Sequence, residues 1–375
     1  MTAHVDPTGQ HAIYAPSSAS RWTICTASAT AIARLGPQEE GEEAVEGTEA
    51  HDEIERCLAP WCDTRKTLQR PTPIPVNSNH PAAYGISLVV SYAKQLDAIA
   101  PGGSFWVEQR VTLTPEIWGR CDVAHWDDAT ATLTIVDYKN GYVGVDAEEN
   151  EQLRIYAAGS IYTHNLPAKW IRYVVVQPND FRPVPRVKQW VEGAESLFAF
   201  ATKTAAIPGG PLTFLAGQHC RYCPLFGRCE PTRDLLARLS VLLQHTPEEV
   251  GAAQVAMVKA LQKPIEDWFK QLDKVKTKEA MTKGPQPGMK LVMTTKHRTW
   301  KDENAARKFV FEQKGLDALS PPTPAQAEKL GLAIEAMVER PEGGPALAFD
   351  SDVRPTWERK SAAKMFAGVI PPKPG

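Results

Sequence analysis

The chain of 375 residues carries 42 Lys or Arg against 44 Asp or Glu, a formal net charge of −2, with 43% hydrophobic and 23% charged residues. That balance describes a globular protein of two or three folding units, and no run approaches the roughly eighteen apolar residues of a membrane span. The polar start from Met1 to His11 lacks the basic and apolar regions of a signal peptide, so the expected location is the cytoplasm, with no membrane partner.

In chain order, Ser17 or Ser18 is placed to cap a helix carrying Arg21, Trp22 and Cys25, with Arg21 and Cys25 one turn apart on one face. The acidic stretch Gly36 to Glu46 reads as a solvated loop. It leads into a helix that starts near Thr48 and carries His51, with Glu55 one turn on as support or as a solvent-facing residue. Residues 58–80 are proline-rich and read as a loop. A helix is expected from about Pro81 to Ala98, followed by strands near Phe105 to Leu113, Trp118 to Trp126 and Leu133 to Tyr138. Glu108 is either an extra acid at a site or an outward-facing strand residue. A helix from about Ala147 carries Gln152 and Tyr156 on one face, with Arg154 turned to solvent. Trp170 to Gln177 is the clearest remaining strand. Together these give an α/β fold, a small mixed sheet flanked by helices.

Beyond Glu230 the pattern becomes helical, with a capping box at Thr246-Pro-Glu-Glu and a bend expected at Pro264. Met289 to Thr294 reads as a short strand, then helices near Asn304 to Gln313 and Pro324 to Met337, then a Pro- and Gly-rich tail. Between Lys259 and Lys301 there are eleven Lys or Arg against four acids, a local excess of seven positive charges. Lys296, Arg298, Trp300 and Lys301 are candidate DNA contacts there, through backbone charge and base stacking. The domain division expected is 1–235 for the α/β core and 236–375 for a mainly helical, basic extension.

The chemistry concentrates between Gly119 and Tyr156. Gly119-x-x-Asp122, fourteen residues, Asp137-x-Lys139, twelve residues, and Gln152-x-x-x-Tyr156 present two carboxylates and a lysine together. Alternation along a strand puts Asp137 and Lys139 on one face, and pairing with the preceding strand brings Asp122 near them. Carboxylates are the hard ligands that Mg²⁺ or Mn²⁺ prefers, and a lysine beside them suits a phosphodiester. Asp137-x-Lys139 by itself would be an ordinary surface ion pair; the ordered array is what raises the functional reading.

That array resembles the RecB-like branch of the PD-(D/E)xK nuclease superfamily, which includes AddB and the CRISPR-associated nucleases. The whole chain resembles a phage-encoded family of unknown function. The resemblance implies a restriction-endonuclease-like core and a Mg²⁺- or Mn²⁺-dependent deoxyribonuclease, an exonuclease of phage DNA replication or recombination. It implies His51, Asp122 and Asp137 as metal ligands, and Asp122, Asp137, Lys139, Gln152 and Tyr156 as catalytic residues. Its partners would be DNA ends and phage replication or recombination proteins. Where the superfamily name has proline before the acid, Cys121 stands here. Two alternatives are a non-catalytic DNA-binding or recruitment module and a structure-specific endonuclease.

Seven cysteines, an odd number in a reducing compartment, argue against a disulfide framework. Cys220-x-x-Cys223-x₅-Cys229 resembles a metal-binding knuckle, and Cys25 supplies a fourth thiolate 195 residues earlier (220 − 25). Four thiolates suit a 4Fe–4S cluster or zinc. The same nuclease resemblance implies the cluster, as a staple joining the N-terminal helix to the end of the core. Cys57, Cys62 and Cys121 are expected as free thiols, and His219 is an outlying ligand candidate.

Overall fold

Thr114 and Asp127 make the turns on which the central sheet is built. The Thr114 hydroxyl accepts from the amides of Glu116 (3.3 Å) and Ile117 (3.1 Å), closing one hairpin. The Asp127 carboxylate accepts from the Ala129 amide (2.9 Å) and the Thr130 hydroxyl (2.6 Å), closing the next. The strands so joined are β1 (Ser104–Thr114), β2 (Ile117–Asp127) and β3 (Thr132–Tyr138). The computed structural model describes residues 12–36, 42–61, 70–180, 182, 184–295, 298–314, 324, 328, 332–339, 342–349 and 354–357. The chain divides into two compact units, Met1–Pro264 and Ile265–Gly375.

In the first unit β4 (Trp170–Val176) runs parallel to β3, and β5 (Val187–Gly193) closes a mixed five-stranded sheet of order β1-β2-β3-β4-β5. Helices cover both faces. The side chains of Val107, Val123, Val136, Tyr138, Val174 and Val176 pack on helices α3 (Glu42–Leu58) and α4 (Ala83–Ile99). Those of Trp106, Ala124, Leu133, Ile135 and Val175, in the opposite phase of the alternation, pack on α5 (Glu151–His164) and α6 (Ala194–Ala205) together with Cys121. Each fully buried Val, Leu or Ile contributes roughly 1.5–3 kcal/mol.

Helix α5 is buried on more than one side. Ile155 packs with Tyr14, Ala19 and Trp22, where short helices α1 (Ala19–Trp22) and α2 (Ser28–Ala33) lie. Its start is Glu151 rather than Ala147, because the Asn150 side chain accepts the Leu153 amide at 3.2 Å and so caps the first turn. The acidic stretch also differs from expectation. Helix α3 begins at Glu42, so the last residues of the expected loop are its first turns, as suits the helix-favouring Glu and Ala there; Pro37 to Gly41 lie outside the described residues.

Strand β5 and helix α6 have no counterpart in the sequence reading, because Val187-Lys-Gln-Trp-Val-Glu is a short edge strand of mixed polarity. Their presence corrects Arg154. Its guanidinium is not solvated but pairs with the buried Glu192 through Nε (2.9 Å) and Nη2 (2.7 Å), and lies over Phe200. The Tyr173 hydroxyl donates to the same carboxylate at 2.6 Å. Glu192→Ala leaves a half-buried guanidinium unpaired, and urea denaturation should show a loss of about 3–5 kcal/mol.

Helix α7 (Glu230–Leu242) follows, and then α8 (Ala252–Lys283), which has Pro264 inside it. In the second unit β6 (Met289–Thr295) pairs with β9 (Glu342–Phe349), β7 (Thr299–Trp300) pairs with β8 (Val338–Glu339), and α9 spans Glu303–Lys314. The extension therefore contains sheet as well as helix. Part of the expected tail is a strand, and residues 335–337 are a turn into β8 rather than the end of a helix. Among the described residues, no helix is long and apolar enough to cross a membrane.

Candidate metal-binding and catalytic site

Three acids sit in one row across three strands. Val107 pairs with Val123 and Gln109 with Cys121, which sets Glu108 opposite Asp122; Val123 pairs with Val136, so Asp122 in turn faces Asp137. The regular ladder between β2 and β3 stops at that point, and the Asp122 Oδ2 atom accepts the Tyr138 amide at 2.7 Å instead. Glu108 has a left-handed backbone, φ 47°, within β1, a conformation that non-glycine residues adopt rarely. All three acids are almost wholly buried: Glu108 is 4%, Asp122 4% and Asp137 1% exposed.

His51 comes from α3, held in place by the buried neighbours Ala50 and Ile54. Its Nδ1 lies 3.2 Å from Glu108 Oε1 and 3.4 Å from Asp122 Oδ2. Ligand atoms of His51, Glu108 and Asp122 all lie within 4.8 Å of one another. Asp137 stands one strand over, with Oδ1 accepting from Lys139 Nζ (3.1 Å) and Gln152 Nε2 (3.2 Å). Its Oδ2 is 2.8 Å from Lys139 Nζ but accepts no hydrogen bond. Lys139 also donates to Gln152 Oε1 at 3.0 Å, and Gln152 Nε2 lies 3.1 Å from the Tyr156 hydroxyl. The two halves of the array are thus joined by direct hydrogen bonds. Gly119 has a steric role, since a Cβ there would meet Tyr156 Cε1 and Pro16 Cγ at 3.0 Å.

The electrostatics follow from crowding. Burial pushes Asp137 up to about 6, with the Asp122 charge adding to it against the pull of Lys139. Burial likewise raises Asp122, although His51 and Lys139 oppose the shift. Burial would lower His51, yet the Asp122 charge and the Glu108 hydrogen bond outweigh it and raise the imidazole to about 9. Burial also holds the Tyr156 phenol well above its usual range. Three buried carboxylates face one ammonium and one imidazole, an excess of negative charge that a hard cation would relieve. The buried Asp137 Oδ2, whose close partner is the Lys139 ammonium, and the mixed N and O donor set fit such an ion. Glu108→Gln, which removes one anionic donor, should weaken Mn²⁺ binding about tenfold or more by calorimetry with the fold intact.

The structure brings together His51, Glu108, Asp122, Asp137, Lys139, Gln152 and Tyr156. Glu108 was ambiguous in sequence, because only the left-handed turn within β1 and the register against Asp122 show where it goes. Glu55 makes no hydrogen bond or ion pair to His51 among the described residues.

The four cysteines expected to form a staple lie in one region. Cys25, Cys220, Cys223 and Cys229 line one small pocket, all unbridged. The N-terminal segment is sewn to the loop before Cys220 by Thr26 Oγ1 donating to Pro211 O (2.9 Å), Thr213 N to Thr26 Oγ1 (2.8 Å) and Ala27 N to Thr213 O (3.2 Å). Among the described residues no three of these sulfurs converge within 4.8 Å as the His51 group does. His219 Nε2 is 2.9 Å from Leu215 O. Cys57 and Cys121 are buried and free, and Cys62 lies outside the described residues.

The candidate DNA contacts have structural partners of their own. Arg298 pairs with Glu328, and Lys301 Nζ donates to Ala336 O at 3.0 Å. Trp300 lies in β7, paired with Val338. Lys296 lies outside the described residues.

Residues 11–355 match the family described as "Protein of unknown function (DUF2800)", and the chain belongs to that family. Among solved structures, one titled "Crystal structure of SSO0001" is 15% identical, covering 40% of this chain and 70% of that one, with a TM-score of 0.22.

Proposed function

We propose that this DUF2800 protein is a divalent-metal-dependent deoxyribonuclease with a PD-(D/E)xK-type core, an exonuclease of phage DNA replication or recombination. The observation that carries the reading is the row Glu108, Asp122, Asp137 on adjacent strands, joined by Lys139 and Gln152 to the helix bearing Tyr156. His51, Glu108, Asp122 and Asp137 would hold the ion. Mg²⁺ or Mn²⁺ bound there would supply Lewis acidity at a phosphodiester and lower the pKa of a coordinated water.

The chain's own residues do the rest. Lys139, held between Asp137 and Gln152, presents an ammonium beside the carboxylates, where it orients the attacking water and neutralises charge developing on the phosphoryl oxygens. Gln152 links Lys139 to the buried Tyr156 and so fixes the ammonium along the strand-to-helix direction. Burial of all three acids keeps bulk water from screening these charges. Cys25, Cys220, Cys223 and Cys229 would hold a 4Fe–4S cluster, with zinc as the other occupant.

The test is digestion of end-labelled linear DNA beside closed circular DNA with Mg²⁺ or Mn²⁺. Loss of the linear form alone is expected. Cutting of circles or of branched substrates would make the protein an endonuclease, and tight binding without cleavage under both metals would make it a DNA-binding module.

A further inference from the structure

We infer that Arg21 is the counter-charge of an anionic metal–thiolate centre at Cys25, Cys220, Cys223 and Cys229, and sets how firmly that centre holds its metal. The inference rests on the thiolate centre proposed above and is independent of the nuclease chemistry.

Arg21 lies one turn before Cys25, whose amide donates to the Arg21 carbonyl at 2.8 Å, so both side chains leave the same face of the chain. The guanidinium lines the cysteine pocket. Its Nε is buried and has no hydrogen-bond partner, and the pocket lining holds no carboxylate to answer its charge. A partly buried cation in that position is costly unless an anion faces it.

Other donors share the pocket. Ser28 is 1% exposed, and its hydroxyl is also buried without a partner. The backbone amides of Leu215 and Gly217 point at the sulfurs of Cys25 (3.5 Å) and Cys220 (3.4 Å). Neutral thiols are weak acceptors and would leave these donors nearly unrewarded. Thiolates accept strongly. Four thiolates around a divalent ion, or around a cluster core of the same charge, keep about two negative charges in excess. One guanidinium with three neutral donors offsets that excess, as outer-shell groups do at metal sites generally.

The experiment uses the full chain purified without oxygen. Bound iron, zinc and acid-labile sulfide are measured, then metal release to a chelator, and, where iron is present, the midpoint potential. The variants are Arg21→Gln and Arg21→Lys. The wild type should carry metal. Arg21→Gln should release it about tenfold faster, and a cluster there should show a tenfold lower reduced-to-oxidised ratio at fixed potential, 59 mV for one electron. Arg21→Lys should restore both toward wild type.

Wild-type release and potential in Arg21→Gln would overturn the role of Arg21 while leaving the centre standing. A wild-type chain with no metal and four freely reactive thiols would overturn the centre and Arg21 together. Should Arg21→Gln be recovered only unfolded, Arg21→Lys decides the matter: wild-type release supports the charge, and release as fast as in Cys220→Ser refutes it. None of these readings uses DNA, so a failed cleavage assay is a separate result.

Discussion

Asp137→Asn is expected to lower divalent-metal-dependent cleavage of DNA by about a thousandfold or more, since a change of that size corresponds to the several kcal/mol that a correctly held ion contributes to the transition state. The same substitution should leave the melting temperature equal or raise it. Asp137 is 1% exposed and is pushed up to about 6 by burial and by the neighbouring Asp122 charge. A neutral amide removes that repulsion and keeps a carbonyl to accept from Lys139. An active site that costs the fold stability is a known trade-off. Lys139→Ala should lose cleavage to a similar degree but retain Mn²⁺ binding, because Nζ donates to Asp137 and Gln152 and ligates nothing. Calorimetry with Mn²⁺ beside a single-turnover assay separates the two variants. Undiminished cleavage by Asp137→Asn would remove the proposed site.

Cys220→Ser is expected to abolish metal retention and lower the melting temperature by on the order of 10 °C. A metal held by the four cysteines would join Cys25 to Cys220, 195 positions later (220 − 25). A crosslink over a loop of that length constrains the unfolded chain by roughly 3–5 kcal/mol in the entropic account. At this chain size each kcal/mol shifts the melting point by about 2–4 °C. Stripping the metal from the wild type should reproduce the shift, while the variant should no longer respond to stripping. The hydrogen-bonded seam through Thr26, Ala27, Pro211 and Thr213 would remain, so partial rather than complete unfolding is expected. Calorimetric scans with and without chelator measure both, and equal melting points in all four conditions would refute the staple.

The two cysteine segments show how far linear spacing reaches. Cys220, Cys223 and Cys229 sit within ten residues, and their grouping is readable because a short loop cannot separate them. Cys25 joined them only by resemblance, and the fold brings it there through contacts no local pattern encodes. The array of acids, lysine, glutamine and tyrosine was legible for the same local reasons. Strand alternation places Asp137 and Lys139 on one face, and helical spacing places Gln152 beneath Tyr156. Those periodicities are properties of the backbone and survive any tertiary arrangement.

The helix-facing roles of Arg154 and Glu108 were not legible. Arg154 looks like a surface residue until an edge strand delivers Glu192 to it, and Glu108 looks ambiguous until β1 takes a left-handed step opposite Asp122. Likewise the run from Glu342 to Phe349 has the composition of a tail, but pairing with β6 satisfies its backbone and makes it a strand.

By itself, then, the sequence determined the order of strands and helices through Tyr156 and Val176, the two carboxylates and lysine of the array, and the cysteine knuckle. All of these rest on repeats of two or about 3.6 residues, or on short loops. Only the tertiary structure decided that Glu108 joins His51 and Asp122, that Arg154 is paired, and that Arg21 and Cys25 face the knuckle. Each of those needs two segments brought together across many residues, and what brings them together is burial of the shared core rather than any local preference.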